Sequence, residues 1–341
     1  MVSLEVIRES NARIATSLPA RLVAVFVGAT SGIGETTLKQ LVKRAQQPRI
    51  YFIGRRESEG RRIQAELKEL NQEGEYNYLQ YDVSLLKNVD EACRYLKSKE
   101  PAINLLFLSS GTLIIGRETD EALNYPMALV YYSRTRFIVN LLPQLRQASH
   151  LRRVVTVAAG GKEGEVFLTD LQARNMGGFT FRGHGTSMIT LSLEAIATQA
   201  PEVSFVHVYP GFVKTGLSRE LTGIGPAIAK IVFKPVMALL HIPIDETGER
   251  QIYFATSARF PPGDGGLGDA NGVALAQGVN VAVRVDRNPG GGVYSIDYEG
   301  EGTSERVQAL MKSLTEDGTA DKIWKHTEEE FLRITGSLAA V

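Results

Sequence analysis

The segment at residues 22–34, LVAVFVGATSGIG, most limits what this chain can fold into, because an apolar run leads directly into three closely spaced glycines. Gly28 permits a tight turn as the chain leaves a strand, and Gly32 lets the backbone approach a pyrophosphate. Gly34 lets the following helix lie close to the sheet. That helix, beginning near Ile33, presents unpaired N–H groups and its positive dipole end to the phosphates. The segment therefore predicts a strand, turn and helix that bind a dinucleotide.

Apolar runs and segments of helical spacing alternate through the first two thirds of the chain. Short runs rich in Val, Ile, Leu and Phe lie at 22–27, 50–53, 103–108, 153–158 and 203–209. Such runs are typical of strands buried on both faces of a parallel sheet. The alternation predicts an α/β fold, a Rossmann-like doubly wound parallel sheet.

We expect one domain with three parts. Residues 1–20 form an N-terminal helical extension, and residues 21–258 form the Rossmann-like domain with a helical lid at about 216–245. Residues 259–341 begin as a glycine-rich excursion and end in a helix. The apolar stripe at 323–334 needs a surface to pack against, so this extended tail is predicted to lie on the same domain.

Composition excludes several classes of function. The 38 basic residues balance the 38 acidic ones, which gives no electrostatic reason to expect a nucleic acid partner. The single cysteine, Cys93, suits a reducing compartment, and we expect a cytoplasmic protein without a metal ion. The charged N-terminus does not match a secretory signal. The apolar stretch at 224–244 contains lysines and prolines, which favours a lid over a transmembrane segment; the alternative is an interfacial segment that touches a membrane.

The end of the second predicted strand indicates which dinucleotide is bound. Residues 50–53 lead into Gly54-Arg55-Arg56, where NAD-specific domains usually carry an acidic residue. Two guanidinium groups suit the 2′-phosphate of NADP instead. The alternative is that both arginines are solvated charges at a helix start. The sequence favours NADP(H) as the cofactor.

Further motifs occur in the order found in short-chain dehydrogenases/reductases, and residues 20–258 resemble that family. Asp82-Val83-Ser84 stands where the family aspartate contacts adenine, and Gly111 ends a segment in place of Asn-Asn-Ala-Gly. Residues 210–215 match Pro-Gly-x-Val-x-Thr, whose threonine binds the nicotinamide carboxamide. The predicted cofactor-binding residues are Gly28, Thr30, Ser31, Gly32, Ile33, Gly34, Arg55, Arg56, Asp82, Val83, Gly111, Pro210, Gly211, Val213 and Thr215.

The catalytic residues of the family are replaced. Ala159 stands in place of the serine, and His184 and Met188 stand in place of the tyrosine and lysine of Tyr-x-x-x-Lys. An unperturbed imidazole titrates near pH 6.5, so His184 can act as acid or base; the alternative is that it fills the volume of the tyrosine. Tyr131 and Tyr132 fall near the family's structural asparagine and are further candidates, with core packing as the alternative.

Charged and apolar residues surround the expected mouth of this site. Lys162, Glu163 and Arg182 are placed to orient a charged substrate, or else are solvated loop charges. The apolar lid predicts a small apolar organic substrate, with packing on its own domain as the alternative. The segments RGH-x-x-S-x-x-TLSLE, YYSR-x-RFI and GER-x-x-FATSARF are similar to a fungal branch of the family that resembles secondary-metabolite cluster proteins. The family resemblance also implies a homodimer or homotetramer.

Three functions agree with these residues. The first is an NADP(H)-binding short-chain dehydrogenase/reductase-like enzyme for an apolar natural-product-type substrate, with His184 in place of the tyrosine. The second is a non-redox isomerase or cyclase on the same fold that uses His184 as acid or base. The third is a non-catalytic NADP(H)-binding module.

Overall fold

A seven-stranded parallel sheet forms the centre of the molecule. The computed structural model describes residues 2–216, 241–266, 268–285 and 288–340. The strands are β1 Val23–Val27, β2 Arg49–Gly54, β3 Glu75–Gln80, β4 Leu105–Leu108, β5 Arg153–Val157, β6 Ser204–Val208, β7 Phe212–Val213, β8 His241–Ile242 and β9 Val293–Ile296. The sheet order is β3-β2-β1-β4-β5-β6-β9, and β7 pairs separately with β8.

Helices cover both faces of this sheet. They are α1 Leu4–Ala12, α2 Ile14–Ser17, α3 Gly32–Val42, α4 Glu57–Leu70, α5 Leu86–Lys99, α6 Tyr125–Met127, α7 Ser133–Gln147, α8 Gly178–Gln199, α9 Ile244–Thr256, α10 Glu305–Glu316 and α11 Thr319–Thr335. A π-helical turn at Ala128–Tyr132 joins α6 to α7. Serine N-caps begin α1 and α10. Ser3 and Ser304 accept hydrogen bonds from the backbone N–H groups three residues later.

Each face of the sheet buries its own apolar cluster, which explains the continuous apolar runs of the strands. Val25 and Val27 of β1 pack with α5, α7, α8, α10 and α11, whereas Ala24 and Phe26 pack with α1, α3, α4 and α9. The strand order reverses between β1 and β4, so the two crossover directions diverge there. The predicted doubly wound Rossmann-like fold is confirmed.

The C-terminal third contributes to the sheet as well as to the helical layer. β9 pairs in parallel with β6 and extends the sheet by one strand, within a region that the sequence predicted as a glycine-rich excursion. Ile323, Phe331 and Ile334 of α11 are buried against α5 and α8. Most of the predicted lid at 216–245 lies outside the described residues, which resume at His241.

A buried ion pair attaches the end of the chain to this body. Arg136 of α7 donates two hydrogen bonds of 2.7 Å to the carboxylate of Asp90 on α5, and both side chains are almost completely buried. The same guanidinium donates to the carbonyl oxygens of Ser337 and Leu338 at 2.9 and 2.6 Å. Asn140 completes the contact, because it donates to Asp90 and accepts from the N–H of Ala340.

Replacing Asp90 by Ala is expected to lower the free energy of unfolding by about 3–5 kcal/mol, because it leaves the buried charge of Arg136 without its carboxylate. Urea unfolding followed by circular dichroism measures the change. The control is Glu316→Ala, which breaks an exposed pair with Lys312 and is expected to cost at most about 0.5 kcal/mol. Equal effects of the two substitutions would contradict a structural role for the buried pair.

Candidate dinucleotide and substrate site

The turn after β1 requires glycine because two backbone segments meet there. Gly28 has φ +82°, and a Cβ at this position would lie 2.6 Å from the backbone nitrogen of Ser110, which follows β4. A Cβ at Gly34 would lie 2.7 Å from the carbonyl oxygen of Gly28. Both contacts are too short for a side chain. The glycines therefore let α3 begin directly beside the carboxyl ends of β1 and β4, as the sequence predicts.

The start of α3 is arranged to receive an anion. Ser31 is the N-cap residue, but its side chain makes no capping hydrogen bond, so the N–H groups of the first turn are left for another acceptor. Gly32 has φ +61°, and a Cβ there would lie 3.2 Å from the side chain of Thr215. The fold thus brings the glycine turn next to the Pro-Gly-x-Val-x-Thr segment, whose Val213 pairs with Ile242 in the β7–β8 bridge.

The side of the sheet edge predicted for adenine carries an oriented carboxylate. Asp82 accepts a hydrogen bond of 3.0 Å from the N–H of Ser84, which fixes its carboxylate, and Val83 is buried. A Cβ at Gly111 would make one ordinary contact, with Val130 Cγ1 at 3.8 Å, so this glycine, unlike Gly28 and Gly34, is not required by a close approach of the backbone. The uncapped start of α3 fits a dinucleotide phosphate.

The end of β2 carries exposed cations. Arg55 and Arg56 are both exposed, and Arg55 Nη1 donates to the hydroxyl of Tyr125 at 2.7 Å. The side chain of Arg56 makes no capping hydrogen bond, although this residue is the N-cap of α4. The side chain of Thr30 packs against Gly54. Arg62, which sequence reasoning missed, donates to the carbonyl oxygen of Thr30 at 3.4 Å beside the glycine turn, and its charge is paired with Glu35, Glu59 and Glu66.

The side chain of His184 is hydrogen-bonded to the backbone of the preceding loop. Its Nδ1 accepts from the N–H of Phe167 at 3.2 Å, and its Nε2 lies 3.2 Å from the carbonyl oxygen of Leu171 and donates to it. The residue is fully buried, and burial lowers its pKa, so the imidazole is neutral. In this structure both nitrogens tie α8 to the preceding loop, and the role of His184 as an acid or base stays a prediction.

Tyr131 and Tyr132 also serve the interior. The hydroxyl of Tyr131 lies 2.8 Å from Ser192 Oγ and 2.6 Å from Thr327 Oγ1, and that of Tyr132 lies 2.7 Å from His326 Nε2. Both rings are fully buried. These bonds join the π-helical turn to α8 and α11, which agrees with the alternative of core packing; a catalytic role of either tyrosine stays a prediction.

A buried arginine joins the carboxyl ends of β4 and β5. Arg134 of α7 donates to Thr156 Oγ1 at 2.6 Å, to the carbonyl oxygen of Val157 at 2.9 Å, and to the carbonyl oxygen of Ser110. Burial lowers its pKa to about 9, which leaves it protonated at pH 7. Ala159 and Met188, at the positions of the family serine and lysine, are both buried and carry no titratable group. The motif YYSR contained this arginine, but periodicity alone did not reveal its contacts.

A second polar cluster occupies the interior next to Ala159. Thr190 Oγ1 donates to Glu163 Oε1 at 2.9 Å and, having one proton, accepts from His207 Nδ1, also at 2.9 Å. His207 Nε2 then accepts from the N–H of Ala159. Glu163 is buried, which corrects its predicted place at the site mouth, and burial raises its pKa. The cluster fixes the chain just after β5.

Polar and apolar side chains share the carboxyl edge of the sheet above these clusters. Lys162 Nζ lies 5.5 Å from the ring centre of Tyr209, which follows β6, and the Arg182 guanidinium lies 4.8 Å from the ring centre of Phe179. Sequence reasoning did not select Tyr209, although it directly precedes Pro210. The large apolar side chains exposed along this edge are those of Leu113, Ile115, Leu168, Phe179 and Phe212.

Two findings concern classes of site within the described parts of the chain. No helix there is long and apolar enough to cross a membrane. In the same residues, no group of three or more His, Cys, Asp and Glu side chains is placed to hold a metal ion.

The family model for short chain dehydrogenase matches residues 22–167. The chain is 36% identical to oxidoreductase andH of Emericella variicolor, over 99% of this chain and 99% of that protein. It is 37% identical to the NmrA-like family domain-containing oxidoreductase notO of an Aspergillus species, over 97% of this chain and 95% of that protein. Full-length similarity to fungal oxidoreductases agrees with the fungal branch indicated by the sequence.

Solved structures share the fold. A 3-oxoacyl (acyl-carrier-protein) reductase from Agrobacterium tumefaciens with NADP bound has a TM-score of 0.55 and 14% identity, covering 75% of this chain and 91% of that chain. An NADPH-bound carbonyl reductase from chicken fatty liver has a TM-score of 0.53 and 14% identity, covering 84% of this chain and 100% of that chain. At these identities the likeness establishes the architecture alone.

Replacing His184 by Phe is expected to lower the free energy of unfolding by about 1–3 kcal/mol, because the N–H of Phe167 and the carbonyl of Leu171 lose their partner. Urea unfolding measures the change, and His150→Phe at the surface is the control, expected to cost at most about 0.5 kcal/mol. A variant that is folded and as stable as the wild type but has lost turnover would support a catalytic role of His184.

The buried, neutral His207 is expected to make the free energy of unfolding decrease at acidic pH. Burial, assisted by the charge of Arg134, lowers its pKa to about 3, whereas an unfolded histidine titrates near 6.5. Between those values only the unfolded chain binds the proton, so stability is full above pH 6.5 and falls as the pH decreases. Replacing His207 by Gln should reduce the stability loss between pH 7.5 and 5.0 by about 2 kcal/mol. Identical pH profiles from urea unfolding would contradict the buried neutral imidazole.

Proposed function

Because the chain belongs to the short-chain dehydrogenase/reductase family, we propose that it is an NADP(H)-dependent oxidoreductase acting on an apolar, natural-product-type substrate. The observation that carries the proposal is the crevice at the strand-order reversal. There the uncapped start of α3 lies beside the side chain of Thr215, and Gly111 follows β4 at the same edge of the sheet. Ligands of doubly wound sheets bind at this position.

The cations at the end of β2 support NADP(H) over NAD(H). Arg55 and Arg56 are exposed where an acidic residue would be needed to bind the two ribose hydroxyls. Guanidinium groups form short, charge-assisted hydrogen bonds with phosphate oxygens. Two of the solved structures with this fold are described as holding NADP or NADPH, in agreement with the proposal.

The exposed apolar side chains support an apolar substrate. Ile115 is 66% exposed and Phe179 is 81% exposed, and they follow the carboxyl ends of β4 and β5 respectively. Apolar side chains that remain in water next to a binding crevice mark a ligand surface. The relatives andH and notO are described as oxidoreductases, which supports a redox reaction here.

The residues present define what the protein itself contributes. A bound NADPH would supply a hydride, and the glycine turn, Arg55 and Thr215 would hold the dinucleotide. Ala159 and Met188 cannot donate a proton, so the usual serine, tyrosine and lysine chemistry does not apply. Positioning of the substrate against the cofactor would provide much of the rate enhancement.

We propose a cytoplasmic location and a homodimer or homotetramer. The buried Cys93 thiol, the only cysteine of the chain, supports a reducing compartment. The assembly is inferred from the family and is tested by light scattering of the purified protein.

Titration with NADPH and NADH is the direct test. We expect the wild type to bind NADPH at least about tenfold more tightly than NADH, since phosphate contacts from arginine contribute about 1.5–3 kcal/mol each. Replacing Arg55 and Arg56 together by Ala should remove this preference, whereas Arg61→Ala, exposed on the helix α4 that follows them, should not. Quenching of the single tryptophan and the thermal midpoint report binding.

Three outcomes would count against the proposal. If neither NADPH nor NADH binds, NADP(H) is rejected as the cofactor. If both bind with equal affinity, the role of the two arginines is rejected. Conversion of apolar ketones without loss of nicotinamide absorbance, giving products of unchanged oxidation level, would favour an isomerase or cyclase instead.

A further inference from the structure

Three polar side chains from different elements lie near one another at the carboxyl edge of the sheet. Lys162 lies in the turn after β5, Arg182 lies in the second turn of α8, and Tyr209 directly follows β6. Phe205 and His207 of β6 face α8, and Tyr209 continues that alternation. Lys162 Nζ lies 5.5 Å from the Tyr209 ring centre. The N–H of Gly164 donates to the carbonyl oxygen of Gly183 at 3.1 Å, which places the chain after Lys162 beside the chain after Arg182, and the charge of Arg182 acts on the Tyr209 phenol.

Hydrogen-bond donors in this group lack acceptors. Arg182 Nε is buried without a hydrogen-bond partner among the described residues, and the ion pairs formed by those residues include neither Arg182 nor Lys162. The half-buried hydroxyl of Tyr209 likewise has no hydrogen bond within the described part of the chain. A buried donor left unpaired is destabilising, so this arrangement is suited to an acceptor from outside the chain.

The protonation state of the phenol also suits an acceptor. Burial raises the pKa of Tyr209, and the charge of Arg182 offsets part of that rise. The hydroxyl is therefore protonated at neutral pH and donates a hydrogen bond. Two positive charges and a neutral donor favour an oxygen that carries full or partial negative charge.

Apolar side chains border the same group. The guanidinium of Arg182 lies against the ring of Phe179, which is almost fully exposed, and the ring of Tyr209 meets that of Phe212 edge-on at 6.4 Å. A ligand that fits this environment has an apolar body and one oxygen acceptor. A carbonyl, an enolate or a carboxylate on a carbon skeleton has this form.

We propose that Tyr209, Arg182 and Lys162 form an oxygen-binding cluster that receives a carbonyl or carboxylate oxygen of the apolar substrate. The proposal rests on the proposed function, in which negative charge grows on a carbonyl oxygen during reduction. Donors fixed before the reaction stabilise such charge without reorganising. His184 bonds the backbone in this structure, and Ala159 and Met188 have no donor to offer. The cluster would supply the donors in their place, from three different elements.

A matched pair of ligands tests the cluster without turnover. 2-Naphthoate and 2-ethylnaphthalene have the same aromatic body, but only the first carries oxygen. Calorimetric titration of the full chain, with and without NADPH, should show at least about tenfold tighter binding of the naphthoate to the wild type. Arg182→Gln should reduce that ratio to below about threefold, and Tyr209→Phe and Lys162→Met should each reduce it about threefold or more.

Control variants show whether the effect is local. Tyr95→Phe and Arg61→Gln make the same chemical changes on exposed surfaces of α5 and α4 and should leave the ratio unchanged. Thermal midpoints confirm that each variant is folded, and Arg182→Lys, which keeps the charge, should retain part of the ratio.

The proposed cluster is rejected if the wild type binds both ligands with similar affinity or binds both weakly. It is also rejected if the affinity ratio of the naphthoate to the ethylnaphthalene is unchanged in Arg182→Gln and Tyr209→Phe. NADPH affinity separates this result from a failure of the proposed function. Normal NADPH binding with no oxygen preference rejects the cluster alone, whereas an oxygen preference without NADPH binding rejects the cofactor alone.

Discussion

The close approach of backbone segments between β1 and β4 is the constraint on which one face of the molecule depends. The absence of a Cβ at Gly28 and Gly34 lets α3 start against the sheet. α9 packs on α3, and Glu249 of α9 binds Arg44 at 2.7 Å and Asn11 of α1 at 2.7 Å. A side chain at either glycine would displace α3 and, with it, the two helices stacked upon it. The dinucleotide crevice and the packing of the N-terminal extension therefore share one steric cause.

Buried arginines organise the opposite face in a comparable way. Arg134 and Arg136 are two residues apart on α7, so their side chains leave the helix in different directions. Arg136 binds Asp90 and the C-terminal tail, whereas Arg134 binds carbonyl and hydroxyl oxygens at the ends of β4 and β5. Arg134 has no carboxylate partner among the described residues, so its charge acts on the nearby interior. That charge adds to burial in keeping His207 neutral, which preserves the hydrogen bonds behind Ala159.

The sequence predicted the structural features that depend on local pattern, but not the side-chain contacts between distant segments. The glycine spacing and the apolar runs are local, and they predicted the sheet and the turn after β1. The imidazole of His184 is bound by the backbone of Phe167 and Leu171, and the hydroxyl of Tyr131 is bound by Thr327 of α11. No periodicity in the sequence indicates such partners, so the sequence could suggest these residues as candidates but could not predict the hydrogen bonds that occupy their side chains. β9 was missed because four residues between glycine-rich loops give little alternation to detect.

β9 supports two of the three side chains of the proposed oxygen-binding cluster. The carbonyl oxygen of Ile296 accepts from the N–H of Tyr209 at 2.8 Å, and Ser295 Oγ accepts from the N–H of Gly161 at 2.7 Å. One strand therefore fixes the backbone beside Lys162 and the backbone of Tyr209. Side chains presented by rigid strand ends keep their geometry better than those on unsupported loops. Arg182, the third member, lies at the start of α8, where His184 binds the backbone of the preceding loop, so the cluster combines groups fixed by the sheet edge with one fixed by this helix.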